Sequence, residues 1–209
     1  MSIFNDIYEI FFDTEFTGLR QDTSLISIGC ITENSEVFYF ENIEYNRDQV
    51  DHWIKNNVIE NLEFLDKIDN MMTNFVTSDS RKLQEVIGFG EFDFLRNQFK
   101  IWLENIHNTY QKDILFISDV SHYDTVLLFE LFNGALHVPD YIIPFVWDIN
   151  MDICQYLNIS PREAFNLNRE ELAEKLSNTL IDQRRKHNSL HDARMIKLIF
   201  ESIYRNHWF

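Results

Sequence analysis

The chain opens on an apolar and aromatic run, Ile7 to Phe12, followed by acids two residues apart at Asp13 and Glu15 and then by Thr17-Gly18. Such a run predicts a buried central strand, and Thr-Gly predicts a turn at its end. Residues 24 to 32 (SLISIGCIT) and 36 to 41 (EVFYFE) read as two more strands joined by a turn at Glu33-Asn34-Ser35, giving an antiparallel meander. Residues 47 to 59 predict a helix, with Val50, Trp53, Ile54 and Val58 at helical spacing. Residues 60 to 80 are mixed and polar and read as irregular. An amphipathic helix follows over 91 to 106, its apolar face made of Leu95, Phe99, Trp102, Leu103 and Ile106. A short buried strand at 114 to 117 leads into a helix from His122 to Phe132. Residues 141 to 147 predict a strand that Pro144 confines to an edge or a bulge. Helices are expected over 148 to 156, over 168 to 176 as a surface helix capped by Asn168, and over 189 to 204. The polar, basic stretch 177 to 187 is expected to be mobile. A meander followed by strand–helix alternation predicts one α/β domain over residues 1 to 209 with a mixed central sheet flanked by helices.

Against this pattern several acids stand out. Residues two apart on a strand share a face, so Asp13 and Glu15 project side by side from the carboxyl end of the first strand. In the helix from His122, the stripe Leu127, Leu128, Leu131 and Phe132 extends back one turn onto Asp124. In the last helix, the stripe Met195, Ile196, Ile199, Phe200 and Ile203 extends back onto Asp192. Each Asp therefore faces inward at the N-terminal end of a core-packing helix. Helix capping favours an anion there by only about 0.3–1 kcal/mol, whereas burying an unpaired carboxylate costs several times more. A shared cation accounts for all four acids, and hard ions such as Mg²⁺ or Mn²⁺ prefer oxygen ligands of this kind. His187 precedes Asp192 by five residues, close enough in chain to serve as a proton acceptor near neutrality.

Composition narrows the setting. A chain of 209 residues supports a sizeable core, and its 19 Phe make that core aromatic. Cys30 and Cys154 are too few for a disulfide framework and read as buried thiols in a reducing compartment. There is no signal-peptide pattern and no run of the roughly 18 apolar residues a membrane helix needs, so the expected location is cytoplasmic, with no membrane partner. The net charge of −16 opposes tight, non-specific binding of duplex nucleic acid, but it leaves room for an enzyme whose site carries its own cations.

The motifs DTEFTGL, SDVSHYDTVLL and HNSLHDA, spread from residue 11 to 194, resemble those of the DEDDh 3′–5′ exonucleases of the RNase H-like superfamily. The resemblance implies an RNase H-like three-layer fold. It also implies two Mg²⁺ or Mn²⁺ ions held by Asp13, Glu15, Asp124 and Asp192, with His187 as general base for phosphodiester hydrolysis. Thr14, Phe16, Thr17, Gly18 and Leu19 are the residues it implies for holding the terminal nucleotide. Asn188 occupies the position where the related DEDDy subgroup has Tyr, which favours the His subgroup. The second motif departs from the family in having Asp119 and Val120 where His-Asn is usual, which makes Asp119 a competing ligand, and the third has Ser189 in place of Ala. WIKNNVI and the Asp119–Tyr123–Asp124 segment look most like small bacterial and phage exoribonuclease-like proteins. That looser likeness carries the expectation of single-stranded RNA as partner. A DNA-directed exonuclease and a non-catalytic binding module of the same fold are the competing readings. Arg184, Arg185 and Lys186 are read either as a phosphate clamp or as a solvated loop. Trp53, Trp102 and Trp147 are expected in the core. Trp208-Phe209 is read as packing back on the domain or reaching a second copy in a homodimer.

Overall fold

The computed structural model describes residues 6–64, 74–78, 85–182 and 185–205. Its strands are β1 (Ile7–Phe16), β2 (Leu25–Thr32), β3 (Val37–Asn42), β4 (Phe75–Ser78), β5 (Glu85–Gly90), β6 (Asp113–Ser118) and β7 (Ile142–Asp148). Its helices are α1 (His52–Asn57), α2 (Phe92–Tyr110), α3 (His122–Glu130), α4 (Ile149–Leu157), α5 (Pro161–Phe165), α6 (Arg169–Ser177) and α7 (Ser189–Arg205). The strands form one seven-stranded sheet in the order β4-β5-β3-β2-β1-β6-β7. β1, β2 and β3 make the expected antiparallel meander, while β6 and β7 add in parallel beside β1. Because β1 is central, its alternation feeds two cores. Phe11 joins Leu115, Ile117, Ile153, Ile196, Ile199 and Phe200 beneath α4 and α7. Ile10 and Phe12 join Phe38, Phe99, Trp102, Phe116 and Leu128 beneath α2 and α3. The two buried cysteines are free and sit in different cores.

Several elements differ from the sequence reading. The helix expected over 47–59 is broken into a 3₁₀ turn at Arg47–Gln49, α1, and a second 3₁₀ turn at Ile59–Asn61. The break is at Asp51, which is extended and caps α1 by accepting from the Ile54 N–H at 2.8 Å. Restarting the helix there resets its phase: Val50, Ile54 and Val58 still pack around Ile26, but Trp53 turns outward and is 53% exposed. Of the other two tryptophans expected in the core, Trp102 is fully buried and Trp147 half-buried. Within the stretch read as irregular, Phe75–Ser78 is a strand, paired antiparallel with β5. The rest of it, at 65–73 and 79–80, lies outside the described residues, as do Arg184 and Trp208-Phe209. Pro144 falls where β7, an edge strand, slips register against β6, so its missing N–H costs no ladder bond.

The last helix is seated by a glycine. At Gly29, which pairs with Asp13 across β1 and β2, an added Cβ would lie 2.2 Å from the Leu190 backbone nitrogen. The first turn of α7 thus rests directly on the β2 backbone, and Ser189 Oγ lies 2.9 Å from Ser27 Oγ. Gly29→Ala must push α7 off the sheet. We expect a loss of about 3 kcal/mol, as for a strongly overpacked core, read as a lower urea midpoint with unchanged slope. An unchanged midpoint would show that the helix is not held by this contact.

Candidate active site

The close approach at Gly29 brings the first turn of α7 over the carboxyl end of β1. Asp13 and Glu15 project from β1 on the α7 side, and Asp192 projects from α7 toward them. One ligand atom each from Glu15, His187 and Asp192 lies within 4.8 Å of the others. Asp124 arrives from the opposite layer at the start of α3. Its Oδ1 accepts from the Thr14 N–H at 3.0 Å and from the Thr14 hydroxyl at 2.5 Å. The turn into α3 runs through Val120 at φ 51, a conformation a β-branched residue adopts only under constraint. Asp148 supplies the constraint by accepting from the Val120 and Ser121 N–H groups at 3.2 and 3.3 Å.

A cavity of about 530 Å³ opens at this junction. Asp13, Glu15, Asp124, His187 and Asp192 all line it, and so do Thr14, Phe16, Gly18 and Leu19. Thr17 does not: it is fully buried, accepts from the Ser24 N–H at 2.9 Å and donates to Gln49 Oε1 at 2.5 Å. This corrects its expected place among the substrate-facing residues; its side chain closes the turn instead. Phe16 stacks on Tyr123 at 5.5 Å, and Leu19 is 78% exposed at the rim.

The electrostatics follow from packing carboxylates where water is scarce. Burial first, then the charges of Asp124, Asp192 and Glu15, holds Asp13 well above the usual carboxylate range. Burial and then Asp192 and Asp124 do the same to Glu15. Asp192 is pushed up to about 7 by burial and by Glu170, opposed by the His187 N–H that donates to its Oδ2 at 3.0 Å. Asp124 reaches only about 6, because the two Thr14 hydrogen bonds offset its burial. His187 is shifted the other way, below its ordinary value, by burial and then by Lys186. A set of oxygens that resists ionising without a counter-charge fits a hard divalent cation, which would lower every one of these values.

Thr14→Val keeps the volume and removes the hydroxyl that favours the Asp124 anion. The Asp124 carboxyl should then titrate above about 6, and Mn²⁺ should bind more weakly. A carboxyl titration followed by NMR checks this; an unmoved midpoint would remove Thr14 from the site's electrostatics.

The rival ligand Asp119 also lines the cavity, but its carboxylate is engaged there by a cation. Arg169 grips it with a two-pronged contact, Nε to Oδ2 at 2.5 Å and Nη2 to Oδ1 at 2.9 Å. Three further residues were not anticipated. α6 is not a surface helix, because Glu170, Leu172 and Ala173 are buried, and Glu170 lines the cavity. Trp53 forms a wall beside His187, with ring centroids 5.0 Å apart. Arg169, the partner of Asp119, is the third; of these, Glu170 could have been noticed in the sequence, since it sits one turn before Ala173 on an apolar stripe, as Asp124 and Asp192 do on theirs. The stretch expected to be mobile is tied down at its end, where Arg185 Nη1 meets Glu63 Oε1 at 3.0 Å and Asn61 donates to the Lys186 carbonyl at 2.9 Å.

No protein-family model matches this sequence, and neither does any curated protein sequence. Solved structures do match the fold. The nuclease domain of 3′hExo, described as a DEDDh family member bound to rAMP, aligns with TM-score 0.65 and 14% identity over 99% of this chain and 96% of that one. A 3′-exonuclease described as recognising the 3′ end of histone mRNA stem-loop aligns with TM-score 0.63 and 13% identity over 96% and 82%. A full-length 3′-exonuclease gives 0.62 and 13% over 95% and 82%. The mixed sheet with helices on both faces is therefore the RNase H-like α/β fold of DEDDh nuclease domains.

Proposed function

We propose that this chain is a metal-dependent 3′–5′ exonuclease acting on single-stranded ends, with RNA as the preferred substrate. The observation that carries the reading is the convergence of Glu15, His187 and Asp192 within 4.8 Å in one cavity also lined by Asp13 and Asp124. Asp13, Glu15, Asp124 and Asp192 would hold two Mg²⁺ or Mn²⁺ ions. When bound, such ions supply an acidified water and charge relief for the departing oxygen. The chain's own residues do the rest. His187, uncharged at neutral pH because burial lowers its proton affinity, accepts the proton of the attacking water on its free ring. Its backbone N–H, bound to Asp192, fixes where that ring stands. Phe16, Leu19 and Trp53 give the terminal base apolar surfaces to stack against, a sequence-tolerant contact suited to processive trimming. Lys186 places a cation at the rim for a phosphate. The preference for RNA draws on the rAMP and histone mRNA stem-loop ligands described for the fold neighbours.

The test is a time course on matched single-stranded RNA and DNA, labelled at the 5′ end, in Mg²⁺ or Mn²⁺. A ladder shortening from the 3′ end, faster on RNA, is expected. Equal or faster loss of DNA would reassign the substrate. Metal uptake with no hydrolysis of either would replace the enzyme by a binding module.

A further inference from the structure

We propose that Glu170, His191 and Asp192 form an additional position for a transition-metal cation, on the α6 side of Asp192. One ligand atom from each lies within 4.8 Å of the others. Glu170 is 3% exposed and its buried Oε2 has no hydrogen-bond partner among the described residues. Lys186 Nζ stands 4.0 Å from that oxygen, beyond hydrogen-bond reach, on a half-exposed side chain. His191 is 6% exposed, and its buried Nε2 also has no partner. Two buried polar atoms without a hydrogen bond, on neighbouring side chains, are costly, each on the order of 1–3 kcal/mol. A single ion between them and Asp192 satisfies both at once. It would also tie α6 to the first turn of α7, the turn that carries Asp192.

The donor set says which ions. One imidazole nitrogen with two carboxylates suits Mn²⁺, Co²⁺ or Zn²⁺, whereas Mg²⁺ strongly prefers oxygen throughout. This position should therefore fill with Mn²⁺ even when Mg²⁺ is in excess. The assignment shares only Asp192 with the nuclease reading, which uses neither Glu170 nor His191.

The experiment loads the full chain with a substoichiometric amount of Mn²⁺ in excess Mg²⁺, without nucleic acid, and uses pulsed electron paramagnetic resonance to detect nitrogen coupling from a coordinated imidazole. Coupling is expected in the unaltered protein and in His187→Gln, and its loss is expected in His191→Gln. Asp13→Asn, which removes a proposed catalytic ligand, should keep the coupling, so failure of the nuclease reading and failure of this one are separable. Should His191→Gln fold poorly, Glu170→Gln tests the same position by affinity, with Mn²⁺ binding weakened roughly tenfold or more. Coupling that survives in His191→Gln and vanishes in His187→Gln, coupling absent throughout, or unchanged affinity in Glu170→Gln would each overturn the proposal.

Discussion

Asp13→Asn is expected to abolish metal-dependent hydrolysis while making the metal-free protein more stable. The two effects have one origin. Asp13 is crowded, raised by burial and by four neighbouring carboxylates. An amide of the same shape relieves that repulsion, as neutral replacement of a buried charge often does. The same amide is a poor ligand for a divalent ion, and losing several kcal/mol of charge stabilisation corresponds to about 10³-fold or more in rate. His187→Asn should separate base from ligand. Asn tolerates the left-handed backbone at φ 62, so the fold should be kept while the rate falls about 10²–10⁴-fold. Single-turnover hydrolysis and thermal melts of both variants check this. Undiminished hydrolysis in either would dismantle the assignment; lower stability in Asp13→Asn would contradict the electrostatic account.

The parts of the site visible in the sequence were those where a local rule was broken. Asp124 and Asp192 occupy apolar positions of helices whose phase is unambiguous, and both turn inward as that phase requires. Glu170 breaks the same rule in α6, a short helix with one weak stripe, and so passed for solvated surface. Trp53 fails for a related reason: one capping Asp resets the phase of everything after it. The departures from the exonuclease motifs have partners that no local pattern could reveal. Ser189, where Ala is usual, is fully buried and meets the Ser27 hydroxyl 162 residues away in sequence. Asp119 meets Arg169, 50 residues away. β4 and β5 were illegible because their pairing depends on bare backbone: a Cβ at Gly88 would lie 2.3 Å from the Phe75 carbonyl oxygen. α5 was not anticipated, although its start, Ser160-Pro161 followed by Glu163, forms both arms of a capping box.

Raising the pH should destabilise the metal-free protein and leave the metal-saturated one nearly level. Asp192 ordinarily titrates near 3.8 and is held at about 7 in the fold. A carboxyl whose folded value is raised favours the fold while protonated, and that contribution is lost as pH rises through the folded value. Asp13 and Glu15, pushed well above their ordinary range, extend the loss beyond Asp192. His187 and His191 act oppositely, since burial lowers them, but only below their ordinary 6.5. The two histidines are outnumbered by the raised acids, so between about pH 4 and 7 the carboxylates dominate and the metal-free fold should weaken by on the order of a few kcal/mol. A divalent ion binds the ionised set, so its stabilisation grows over the same interval. Glu41, raised to about 7 by burial away from the cavity, should leave a small residual slope that metal cannot remove. Urea unfolding at both ends of the interval, with chelator and with Mn²⁺, reads the divergence directly. Metal-free stability that climbs with pH, or a pH trend indifferent to Mn²⁺, would mean that these acids are not packed against one another around a cation.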